Sequence, residues 1–132
     1  MKELLEKYYN ELKNDLQIDE INVKEKTLMT PGIKHKWVKR LIDAKIELRR
    51  QEELKSKTIY ELNEKITKES QVALSPITIR KAVENTEAFK RIEENIEEQK
   101  IIVEYFERVE KVVNSLTYDL KNIIDVIKLE ST

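Results

Sequence analysis

Turn chemistry is almost missing from this chain. One glycine, Gly32, and two prolines, Pro31 and Pro76, serve 132 residues. Hairpins and tight strand connections draw on exactly these residue types for their special backbone angles, so a sheet has little to turn on. Long unbroken runs rich in Glu, Lys, Leu and Ile read instead as helices. The expected fold class is all-α.

The apolar spacing divides that expectation into elements. "KELLEKYYNELKNDL" sets Leu4, Leu5, Tyr8, Leu12 and Leu16 on one helical face. "QIDEINVKEKTLMT" reads as a second short helix, with Asp19 as its N-cap and Pro31-Gly32 as the corner that ends it. From Ile33, the series Trp37, Leu41, Ala44, Leu48, Thr58 and Leu62 continues at helical steps, which predicts one long basic helix to about residue 66. Ser75-Pro76 suits either a turn or the N-cap and first position of a helix, and "ITIR" has strand character. Helix and short strand both stay open near 76–80. The C-terminal region carries two adjacent apolar lines, one through Phe89, Ile96, Val103, Phe106, Val113, Leu120 and Ile124, the other through Ile102, Tyr105, Val109, Val112 and Leu116. Together they are wider than a two-stranded coiled coil needs.

Charged and hydrophobic residues each make up 39% of the chain. An elongated helical protomer of this composition falls short of the roughly two-thirds of surface that a chain this size normally buries. Self-association closes that gap. Ile102, Val103, Phe106, Val109, Val113, Leu116, Leu120 and Ile124 are the candidate oligomer interface. The expected organisation is a single structural domain, with 1–70 as a basic N-terminal helical region and 71–132 as a C-terminal helical oligomerisation region.

Charge is segregated along the chain. From Lys34 to Lys57 nine Lys/Arg face four acids, a net +5, whereas from Glu84 to Glu110 nine acids face four bases, a net −5. A basic half of this kind suits a polyanion. Catalytic chemistry finds no support: there is no cysteine, one histidine, and no Gly-rich phosphate loop. Glu93-Glu94 and Glu97-Glu98 have the spacing of an exposed helix face, and the Glu-x-x-His of di-iron bundles is missing. The expectation is a non-enzyme without cofactor or metal. No apolar run reaches the roughly 20 residues of a membrane span, and the expectation is a soluble intracellular protein.

The basic helix is the candidate binding element, with Lys36, Lys39, Arg40, Arg49, Arg50, Lys55 and Lys57 and the nearby Tyr60 as candidate contacts. Cations along a helix can follow a phosphate backbone while aromatic rings stack on unpaired bases. Compensating acids in "DAKIELRRQEELKSK" equally suit a solvated mixed-charge helix. Trp37 lies in phase with the apolar line, which favours packing over stacking, and His35 reads as a surface residue.

"LKNDLQID", then Pro31, His35, Lys36-Trp37, Leu41, Lys45 and Leu48, together with the run "FKRIEENIEEQKIIVEYFERVEKVVNSLTYDLKNIIDVIK", resemble the UvsY family of phage recombination mediators. The resemblance covers roughly nine-tenths of the chain, much of it generic amphipathic helix. Its specific parts are the His-x-Trp cluster and the ending Leu120-Lys121-Asn122-x-Ile124-Asp125. The family's basic-x-basic signature is matched by Lys55-Ser56-Lys57 with Tyr60, although Glu61 and Leu62 stand where a second tyrosine and the following residue are expected. The resemblance implies a ring-like homo-oligomer of six or seven subunits. It also implies single-stranded DNA binding, a RecA-like recombinase of the UvsX type and a phage single-strand-binding protein as partners, and a place in the cytoplasm of the infected host. The alternative reading is a structural helical oligomer, such as an assembly factor or chaperone-like adaptor, that needs no nucleic acid.

Overall fold

The computed structural model describes residues 1–131 as five helices: α1 (Lys2–Leu16), α2 (Val23–Glu69), α3 (Pro76–Glu84), α4 (Glu87–Asn114) and α5 (Leu116–Ser131). The fold is all-α, and no strand occurs among the described residues.

Local chemistry accounts for most of the boundaries. Asp19 Oδ1 accepts from the Ile21 and Asn22 backbone N–H groups, each at 2.8 Å, while Asn22 Oδ1 accepts from Asp19 N. This reciprocal cap starts the turn that enters α2. Lys26 Nζ reaches back to donate to Asn14 O at 2.8 Å, satisfying a carbonyl at the end of α1. Ser75 Oγ accepts from Thr78 N ahead of Pro76, so residues 76–80 are the first turn of α3 and not a strand. The capping serine and the first-turn proline outweigh the β-propensity of Ile77, Thr78 and Ile79. At Ser115 the hydroxyl donates to Val112 O at 2.7 Å, and this local bond marks the break between α4 and α5.

Pro31 and Gly32 do not end a helix. Both lie inside α2, which joins the expected second helix and the long basic helix into one element of 47 residues. Gly32 has no positive φ, so the corner its backbone would permit is not made. Pro31 removes one backbone donor at a cost of about 3 kcal/mol. Burial of Ile33, Trp37 and Leu41 on the following turns offsets it, since each such side chain contributes about 1.5–3 kcal/mol.

The chain packs as two units, Met1–Asp43 with the segment from Ile102 onward, and Ala44–Ile101. In the first unit Trp37 is 1% exposed and packs with Tyr8 and Phe106, the Tyr8–Phe106 ring centroids lying 5.1 Å apart at 66°. Val103, Phe106, Val109, Val113, Leu116 and Leu120 complete this core. The sequence sets these six at a protomer interface; in the structure their own chain covers them. The broad C-terminal face meets α1 and α2 of the same protomer, so a surface between copies must use other side chains. Ile102 and Ile124 remain half-buried. In the second unit Val83 and Ile96 are buried, and Gln99 Nε2 donates to Ala44 O at 3.0 Å where α4 meets α2.

Candidate nucleic-acid interface

The leading cations of α2 point inward to α1. Lys36 Nζ lies 2.6 Å from Asp15 Oδ2 and 3.1 Å from Glu11 Oε1. Arg40 holds Glu11 with a bidentate fork at 2.8 and 3.0 Å, and its guanidinium stands 4.7 Å from the Trp37 ring centroid. The bond from Arg40 is the main cause that lowers the Glu11 pKa, with Lys36 adding to it against the opposing effect of burial. Asp15 Oδ2 also accepts from Trp37 Nε1 at 2.8 Å. Lys36, Arg40 and Trp37 therefore form an internal network that ties α1 to α2, and a polyanion would have to displace two carboxylates to reach it.

Further along α2 the cations separate by helical phase. Lys39 pairs with Asp43 at 2.9 Å, and Arg50 grips Glu47 through Nε and Nη2, lowering the Glu47 pKa. Lys55 turns toward α4, pairs with Glu93 and lies 5.5 Å from the Phe89 ring centroid. It lines an apolar groove of about 620 Å³ with Ile59, Ile79, Val83 and Phe89. Lys57, about 200° round the helix from Lys55, is exposed, as is Arg49, and neither has a carboxylate in ion-pair reach among the described residues. Tyr60 is 64% exposed, its hydroxyl donating to Glu64 at 3.0 Å. Arg49, Lys57 and Tyr60 fall within an arc of about 80° and about 16 Å of helix. Of the eight candidate contacts, these three present an open surface, Lys39 and Arg50 are exposed but locally paired, and Lys36, Arg40 and Lys55 are held internally. Lys45 is an addition: exposed, one turn before Arg49, and legible in the sequence as a like-charged i, i+4 pair.

The family model for "Recombination, repair and ssDNA binding protein UvsY" matches residues 11–132. The chain belongs to the UvsY family. Two crystal structures of the bacteriophage T4 recombination mediator protein UvsY share its fold. One, in lattice type IV, has a TM-score of 0.79 at 17% identity and covers 96% of this chain and 98% of the T4 chain. The other, in lattice type II, has a TM-score of 0.77 at 16% identity, with 97% and 98% covered. No curated protein matches by sequence. Among the described residues of this UvsY-family chain, no helix is long and apolar enough to cross a membrane, and no cluster of three metal-ligating groups occurs.

Proposed function

We propose that this chain is a recombination mediator. It binds single-stranded DNA and helps load a RecA-like recombinase onto strands covered by single-strand-binding protein, acting as a ring-like homo-oligomer in the host cytoplasm. Family membership supports the role. The observation that carries the DNA contact is Lys57, an exposed cation without a carboxylate partner among the described residues, one turn from the exposed ring of Tyr60. Phosphate pairing beside a stacking platform is the arrangement that single strands use. Exposed Ile101, Val112, Tyr118 and Val126 on α4 and α5 support assembly through the C-terminal helices. Several weak contacts joined in one assembly then give strong binding.

Fluorescence anisotropy of labelled poly-dT over a salt series tests the DNA contact. Lys57→Ala should weaken binding and flatten the log K against log salt line by about 0.7 for each protomer on the strand. Lys55→Ala should leave that slope unchanged, because Lys55 pairs with Glu93. Absence of salt-dependent binding at low salt would sink the mediator reading. It would leave a structural helical oligomer, which the internal pairing of Lys36, Arg40 and Lys55 favours.

A further inference from the structure

Two exposed patches of opposite charge lie on helices of the second unit. On α2, Ile46 is 63% exposed. Lys45 and Arg49 flank Ile46, and neither has an ion-pair partner among the described residues. On α4, Ile101 is 44% exposed. The exposed Glu94 and the half-buried Glu98 precede it on the same side, again without an ion-pair partner among the described residues, and Glu97 reaches Lys100 only at 3.6 Å.

The two patches cannot meet within one chain. Gln99 donates to Ala44 O, which fixes the sides on which α4 and α2 face each other. Ile46 stands about 200° round α2 from Ala44, and Ile101 about 200° round α4 from Gln99. The patches therefore look outward in opposite directions from the helix pair. Each is an aliphatic centre with charged rims, and their charges are complementary, two cations against two carboxylates.

We infer that the α2 patch around Ile46 docks on the α4 patch around Ile101 of a second copy of this chain. Charge excludes a symmetric pairing, because α2 on α2 would set Lys45 and Arg49 against themselves, and α4 on α4 would oppose Glu94 and Glu98. The contact is heterologous: every copy offers one donor patch and one acceptor patch, and successive copies close into a ring or run on as a filament. Exposed aliphatic side chains, with no aromatic ring among them, fit a protein helix better than nucleobases. Lys57 and Tyr60, two to three turns further along α2, stay open to a strand. This assignment rests on the self-association proposed above and specifies its surfaces.

Analytical ultracentrifugation of single and mixed variants tests it. Ile46→Asp sets a carboxylate against the acidic patch, and Ile101→Lys sets a cation against the basic one. Both sites are exposed enough for the chain to keep its helix content, read by circular dichroism. Each variant alone should sediment as a single chain. An equimolar mixture should give species of twice the chain mass or more, because the α4 patch of the first variant and the α2 patch of the second are both intact, whereas neither variant alone offers an intact pair. As a second arm, Lys45→Glu with Arg49→Glu, or Glu94→Lys with Glu98→Lys, should each abolish assembly, and a chain carrying all four changes should regain it. A variant that assembles like the wild type, or a mixture that stays at single-chain mass, overturns the α2–α4 assignment alone. A wild-type chain that sediments as a monomer overturns the self-association reading together with it.

Discussion

At Trp37 a single carboxylate oxygen serves two donors, since Asp15 Oδ2 accepts from the indole at 2.8 Å and from Lys36 Nζ at 2.6 Å. Without that acceptor, burying the indole N–H would cost about 1–3 kcal/mol. Glu11 does related work for Arg40, and its pKa is lowered chiefly by that bond. A carboxylate with a folded-state pKa below its unfolded value adds stability above the unfolded value, and loses it as pH falls through the folded one. Urea midpoints should therefore fall as pH drops below the ordinary carboxylate range. In Glu11→Gln the midpoint should be lower at neutral pH and its acid arm flatter; an unchanged acid arm would assign the loss to other carboxylates. The packed role of Trp37 was legible in its phase along the apolar line. The pairing of Lys36 and Arg40 was not, because their partners lie 21 and 29 residues away and charge has no periodicity that announces a tertiary neighbour.

At the scale of the element, α2 shows where local rules stop. Its 3.6-residue pattern from Ile33 to Leu62 was readable, but its start was not. Pro31-Gly32 is a sound stop signal when only one lost hydrogen bond and one flexible residue are weighed. Burial on the turns that follow decides otherwise. Gly32 has helical backbone, and nothing lies within 4 Å of where a Cβ would stand. Gly32→Ala should thus raise stability by about 1 kcal/mol through helix propensity alone, measured by thermal unfolding. A loss of stability would show that the position needs glycine. The same weighing explains α3, where the sequence offers both a Ser75-Pro76 cap and strand character in "ITIR"; the hydrogen bond from Thr78 N to Ser75 Oγ decides for the helix. It also explains the C-terminal stripes. Their breadth was visible in the sequence, but periodicity records that a face is buried without recording by which neighbour.

For the whole molecule, a net charge of −1 conceals a basic and an acidic stretch of equal size. Both proposed contacts, with a strand and with a second copy, use exposed charge and weaken as salt screens it. The log K against log salt line for single-stranded DNA should be straight while the assembly holds and steepen where sedimentation shows it coming apart, since multivalency is lost there. A line that keeps one slope through dissociation would mean that each chain binds alone. One feature of the core also gives the protein its own optical gauge. Trp37 is the single tryptophan among 132 residues, shielded from water and close to the ring of Phe106. Ultraviolet emission from this chain is therefore the signal of one indole in one known setting. A red shift or easier quenching reports that α1, α2 and α4 have parted in the first unit, without any label.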